Sequence, residues 1–289
     1  FTASAVTTDF ITTDITASNG SITNFSGSGT TYNATFTPTG QGTCVIEVAA
    51  GSFTVGGINN EATDDFIWTF DSVGPTMTIE AEARITVDST NYDRPVTNGG
   101  VSSSSTYILT FTSDETTNNF AVGDIDVSNG TLSNFSGSGT SYSAVFTPTA
   151  NGSCTIDITG NKFTDLYGNN NTASTQFAWT HDATAPSISS MAIVQTSATQ
   201  QEVTVTFSEN IGDAGGILSS TNYTQSNLAA SNFVLSISGG NAQFDGTNPT
   251  NVTKISSSVY KLGLDFLSGY KPNGLETLSV TSAQYGDTN

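Results

Sequence analysis

Basic residues, histidine, cysteine and long hydrophobic runs are all scarce in this sequence. Six lysines and arginines stand against 25 aspartates and glutamates in 289 residues, a formal net charge of -19. Such a surface repels phosphate groups, so nucleic acids and anionic membranes are poor partners. No apolar run approaches the roughly 18 residues of a membrane span, and no signal-like segment opens the sequence. We therefore expect no direct membrane insertion, and we expect any anchor or export signal to lie outside these residues.

The scarcity of histidine and cysteine argues against catalysis. His181 is the single histidine and lies in a strand-like segment, which excludes histidine-rich zinc sites and leaves a Ser-His-Asp relay only one ring to build on. Cys44 and Cys154 are 110 residues apart and each begins an apolar alternation, which predicts buried free thiols. We expect a protein that is not an enzyme.

An internal repeat is the strongest pattern present. Residues 1–57 align with residues 111–167 without a gap, and after one inserted residue the match continues to Pro75 and Pro186. The string NFSGSGT, for example, begins at both Asn24 and Asn134. The pattern predicts three units, the first lacking its N-terminal part and the third its C-terminal part: residues 1–75, 76–185 and 186–289. We call these unit one, unit two and unit three. Truncation and strand exchange between chains would both account for the incomplete ends.

Within each unit, apolar residues alternate over short runs such as Tyr107, Leu109 and Phe111, a period typical of β-strands. Thr, Ser, Asn and Gly are poor helix formers, so helices should be nearly absent. About seven short strands in roughly 110 residues predict antiparallel Greek-key sandwiches of immunoglobulin-like type. The Gly-Ser-Gly segments at Gly27 and Gly137 are interpreted as hairpin turns. Trp68 and Trp179 occupy equivalent strand positions and should share a core role.

Several motifs of unit two resemble the bacterial Ig-like repeats of giant adhesins and other long surface proteins. They are FTSDE from Phe111, Asp124-Ile125, SNG from Ser128, and FTDLYGN from Phe163. The resemblance extends closely to unit one and more loosely to unit three. It implies tandem Ig-like domains in an elongated, extracellular array that serves as a spacer, often stiffened by calcium at its domain junctions.

Acidic residues cluster where strand parity brings loops together. Counting strands alternately up and down places Glu115, Asp124 and Asp165 at one end of unit two, facing Asp71 of the preceding linker. Converging carboxylates repel one another unless a hard cation lies among them, and Ca²⁺ takes six to eight oxygen ligands. The sequence thus predicts a structural calcium site at this first junction. The alternative, without a metal ion, is that these acids are solvated loop ends and Asx-turn formers.

A second calcium site is predicted where unit two meets unit three. Its ligands would be Asp182, Glu209 and Asp287, with Asn232 in the place of Asp124, so it carries less charge. In unit one, Ala5 and Val55 replace Glu115 and Asp165, and no site is expected there.

The favoured function is a structural stalk of a bacterial surface adhesin or surface filament. Its partners would be adjacent repeats of the same or neighbouring chains, together with cell-surface or polysaccharide partners. Two alternatives remain open. A virion decoration or tail-fibre protein would show trimeric or capsid-bound packing, and a carbohydrate-binding module would need a row of exposed aromatic residues on one sheet.

Overall fold

A computed structural model describes residues 1–87, 90–195, 201–212, 228–270, 272, 275–282 and 286–287. These residues form β-strands and loops, and their helical content is three short 3₁₀ turns, Thr12–Asp14, Val122–Asp124 and Ala230–Asn232. The composition explains this result, because Thr and the aromatic residues favour strands while Ser, Asn and Gly disfavour helices. The prediction of an all-β chain of Ig-like sandwich type is confirmed. The proposed unit boundaries stay predictions.

Unit one contains seven strands, with the following bounds: β1 (Thr2–Thr7), β2 (Ile15–Ser18), β3 (Gly20–Pro38), β4 (Gly42–Val48), β5 (Thr54–Val55), β6 (Ile58–Asn59) and β7 (Phe66–Phe70). They pair as β1 with β3, as a sheet in the order β2-β4-β7, and as β5 with β6. The buried cluster of this unit is small: Phe10, Ile15, Tyr32 and Val48.

Unit two is built from two four-stranded sheets. Its strands are β8 (Met77–Val87), β9 (Thr90–Pro95), β10 (Val101–Ser102), β11 (Tyr107–Thr117), β12 (Asp126–Ser128), β13 (Gly130–Pro148), β14 (Gly152–Asp157) and β15 (Phe177–His181). The sheet orders are β9-β8-β11-β13 and β12-β14-β15-β10. All pairs are antiparallel except β10 with β15, which is parallel. The core between the sheets includes Tyr107, Leu109, Phe111, Phe146, Cys154, Ile156, Ile158, Phe163 and Trp179.

Unit three repeats the layered arrangement with different pairings. Its strands are β16 (Ile188–Gln195), β17 (Gln201–Phe207), β18 (Ile211–Gly212), β19 (Phe233–Ser238), β20 (Val252–Lys254), β21 (Val259–Leu264), β22 (Thr277–Ser282) and β23 (Gly286–Asp287). They form a sheet in the order β16-β17-β21-β20 and the pairs β18 with β23 and β19 with β22. Its core includes Val203, Val205, Phe207, Phe233, Tyr260, Leu262 and Leu264.

The two cysteines and the two tryptophans occupy matching positions in the sheets. Cys44 lies opposite Trp68, and Cys154 lies opposite Trp179. Both thiols are free and buried, as predicted. The tryptophans differ in burial, since Trp179 is 2% exposed whereas Trp68 is only half-buried. The ring of Tyr107 packs 4.9 Å from Trp179 and has no counterpart in residues 1–75. The shared core role therefore holds fully for Trp179 and in part for Trp68.

The Gly-Ser-Gly segments are turns at which the chain reverses direction, as predicted. Gly137 lies near the middle of β13, whose two halves run antiparallel: the Thr149 amide donates to the Asn129 carbonyl oxygen at 3.0 Å, and the ring of Phe135 stacks on that of Tyr142 with centroids 5.8 Å apart. Gly27 lies at the same place in β3, where the Thr39 amide donates to the Asn19 carbonyl oxygen at 3.1 Å. Gly137 has a φ of 127°, and a Cβ there would lie 2.4 Å from the carbonyl oxygen of Ser141. The pairing of β11 with β13 is irregular at this level, between Thr112 and Thr117. Glycine thus lets the chain turn back on itself within β13, with the irregular pairing to β11 beside the turn.

Candidate metal centre

The linker between unit one and unit two lies directly against unit two. The carbonyl oxygen of Pro75 accepts a hydrogen bond from the Thr172 amide at 3.0 Å. At Gly74 the approach is closer still, since a Cβ there would lie 1.8 Å from the carbonyl oxygen of Asn170. Only glycine fits such a contact. The linker is therefore docked on the loop that also carries Asp165.

Three acidic side chains meet at this docking point. Asp71 comes from the linker, Glu115 from β11 and Asp165 from the loop, and one carboxylate oxygen of each lies within 4.8 Å of the others. This is the one group of three or more acidic, histidine or cysteine side chains with such spacing among the described residues. Two oxygens bound to one Ca²⁺ lie at most about 5 Å apart, because each bond is about 2.3–2.6 Å long. The spacing fits ligands of a single ion.

Asp165 is held in place by its own loop. Its side chain accepts hydrogen bonds of 2.8 Å from the backbone amides of Tyr167 and Asn169 and from the side-chain amide of Asn169. The residue is 2% exposed. Burial on its own raises the pKa of this carboxyl, but the hydrogen bonds from Asn169 and Tyr167 outweigh it and the pKa lies below its usual value of 3.8. Asp165 is thus a charged, oriented carboxylate before any ion arrives.

Glu115 is perturbed in the opposite direction. Burial first, and then the charges of Asp71, Asp165 and Asp114, raise the pKa of Glu115 above its usual value of 4.5. Each neighbouring negative charge disfavours ionisation, and a cation at the same place would reverse that effect. The cluster is therefore electrostatically unfavourable without a cation.

Asp124 has a different role from the one predicted. Its Oδ2 accepts a hydrogen bond from the Ala121 amide at 2.8 Å and caps a 3₁₀ turn, and Asp124 is not part of the three-residue group. Asp14 and Asn232 make the same contact at the equivalent turns of units one and three. Because the neutral Asn232 serves equally well, this position needs an oxygen acceptor and no charge. The Asx-turn alternative accounts for what the structure shows of Asp124.

The second junction is only partly described. Asp182 accepts hydrogen bonds from Asn151 and from the Thr184 amide, and Thr184 lowers the pKa of this carboxyl. Asp182 and Glu209 belong to no three-residue group of the kind found at the first junction, so far as the described residues go. Asp287 lies in β23, which pairs with β18, and its side chain is outside the described part of the chain. A calcium site here stays a prediction.

Comparison with protein families identifies the fold family. The family model of the bacterial Ig-like domain matches residues 1–65 and 95–180, about half of the chain. The chain belongs to the bacterial Ig-like domain family. Such domains are commonly extracellular or surface-exposed and are typically structural and non-enzymatic. Searches of the curated proteins and of the solved structures found no match. Among the described residues, no helix has the length and hydrophobicity needed to cross a bilayer.

Sequence reasoning missed two amide side chains that serve the site of this Ig-like chain. Asn169 binds Asp165 as described above. Gln41, from unit one, donates a hydrogen bond from Nε2 to Oδ1 of Asp71 at 2.6 Å, 30 residues away in sequence. The alignment contained one usable signal, since Gln41 and Asn151 are both amide residues at equivalent positions, each directly before a glycine.

Proposed function

We propose that this chain is a segment of a structural stalk in an extracellular bacterial surface protein, an adhesin or a surface filament. Tandem Ig-like repeats would act as the spacer, and a Ca²⁺ ion would stiffen the junction between units one and two. The observation that carries the proposal is the convergence of Asp71, Glu115 and Asp165 within 4.8 Å. Two of these residues belong to unit two and one to the linker, so a shared ion would hold linker and domain together.

Electrostatics support a divalent cation in this role. The net charge of -19 attracts cations to the whole surface. Asp165 already has a lowered pKa, whereas burial and then the charges of Asp71 and Asp165 raise the pKa of Glu115, and a bound cation would offset that repulsion. Backbone carbonyls and water would complete the six to eight oxygens that Ca²⁺ prefers.

Mechanical stiffness is what such an ion would supply. Interfaces between neighbouring domains of one chain are usually small, so relative motion is the default. An ion that binds only when Asp71 lies against unit two favours that one arrangement by mass action. Adjacent repeats would be the main partners, and Asp182, Glu209 and Asp287 remain candidates for a second ion.

Small-angle X-ray scattering on the full chain tests this function. We expect calcium to narrow the distribution of interatomic distances relative to a chelator, because the first junction loses its hinge motion. Asp71→Asn should reduce the response. The matched control Asp64→Asn, an exposed acid in unit one, should keep it. Identical scattering in calcium and chelator would rule out the stiffened junction.

A further inference from the structure

An amide side chain at the same position of the repeat is hydrogen-bonded to each of the two linkers. Gln41 lies immediately before β4, and Asn151 lies immediately before β14. Both are exposed and are 110 residues apart, the offset of the repeat. Neither contributes to a core, so their contacts with the linkers need another explanation than packing.

At the first junction, the Gln41 amide uses both of its hydrogen-bonding functions. Its Nε2 donates to Asp71 Oδ1 at 2.6 Å, and its Oε1 accepts from the Ser72 amide at 3.0 Å and from the Ser72 hydroxyl at 3.3 Å. Asp71 Oδ1 also accepts from the Val73 amide at 3.1 Å. Asp71 and Ser72 are thereby bonded directly to Gln41, and Val73 is held through Asp71.

At the second junction, Asn151 makes the equivalent set. Its Nδ2 donates to Asp182 Oδ1 at 3.1 Å and to the Thr184 hydroxyl at 2.6 Å, and its Oδ1 accepts from the Ala183 amide at 3.0 Å. Asp182 Oδ1 accepts from the Thr184 amide at 3.0 Å. The pattern recurs although the linkers share only their first Asp and their last Pro.

We propose that Gln41 and Asn151 are linker locks, which fix the direction in which each following unit leaves the one before it. An amide suits this role because one planar group presents a donor and an acceptor to two successive linker residues. The lock acts without a metal ion, since Asn151 forms it with an Asp that belongs to no three-acid group among the described residues. The inference therefore goes beyond the calcium proposal.

Amide hydrogen exchange tests these hydrogen bonds directly. It is measured by NMR on the full chain in the presence of a chelator. Gln41→Leu keeps the size of the side chain and removes both polar functions, so the Ser72 amide should exchange about tenfold faster. The Ala183 amide, at the other lock, should be unchanged. Asn151→Leu should show the reverse pattern. Gln41→Asn introduces the residue that unit two uses and should retain most of the protection of Ser72.

Orientation is the second readout. Small-angle scattering in chelator should show a broader distance distribution for Gln41→Leu than for the wild type or Gln41→Asn. Unchanged exchange at Ser72, or scattering unaffected by Gln41→Leu, would overturn the proposal. Equal loss in Gln41→Asn and Gln41→Leu would also overturn it, because the amide would then not be what holds the linker. All these outcomes leave calcium binding to be judged separately.

Discussion

Replacing Glu115 with Gln should have opposite effects with and without calcium. The carboxylate oxygens of the cluster lie within 4.8 Å, where two charges repel by about 1 kcal/mol in water and about 3–4 kcal/mol at an effective dielectric constant of 20. Glu115 is half-buried, so solvent screens this repulsion and the value for water applies better. In chelator, Glu115→Gln should therefore stabilise unit two by about 1 kcal/mol and raise its melting temperature by about 4 °C.

Calcium should reverse that order. A ligand at 100 times its dissociation constant stabilises the folded state by about 2.7 kcal/mol, and the variant, lacking one ligand charge, should gain much less. Thermal unfolding followed by the fluorescence of Trp179, in a Trp68→Phe background, isolates unit two. Glu80→Gln, an exposed acid on β8, is the matched control and should respond to calcium like the wild type. A variant less stable than wild type in chelator, or one with an undiminished calcium response, would refute the reasoning.

Three further predictions concern the linker, the thiols and acid stability. Gly74→Ala places a Cβ 1.8 Å from the Asn170 carbonyl oxygen, so the Thr172 amide should lose protection against hydrogen exchange. The control Ala185→Gly, in the other linker, should leave the exchange of the amides around it unchanged. Cys44 and Cys154 are buried, and burial raises the pKa of Cys154, so Ellman's reagent should label both only after unfolding; rapid labelling of the native protein would contradict this packing. The lowered pKa of Asp165 gives a stabilisation that is present above pH 3.8 and is lost as pH falls through the folded-state pKa, so urea unfolding between pH 6 and pH 2 should show a weaker acid dependence in Asp165→Asn.

Much of the fold could be predicted because alternation and repetition are local signals. Tyr107, Leu109 and Phe111 alternate in the sequence and are all fully buried, and the 110-residue repeat placed Cys44 and Cys154 at equivalent, buried positions. The turn at Gly137 was predictable as well, because glycine readily adopts the positive φ that such a reversal requires.

The candidate site was predictable only as far as strand direction fixes which loops meet. Parity placed Asp71, Glu115 and Asp165 at one end of unit two, and the structure brings one oxygen of each within 4.8 Å. Parity also included Asp124, because it gives the end of the sandwich and not the side-chain direction. Gln41 was missed because its contact with Asp71 joins the start of β4 to the linker across 30 residues, and no local pattern encodes such a contact.

Isothermal titration of Ca²⁺ into the full chain tests the central claim most directly. The account predicts binding to the wild type that is lost or much weakened at the first junction in Asp71→Asn and is retained in the exposed-acid control Asp64→Asn. Binding that is absent from the wild type, or that Asp71→Asn leaves unchanged, would contradict it.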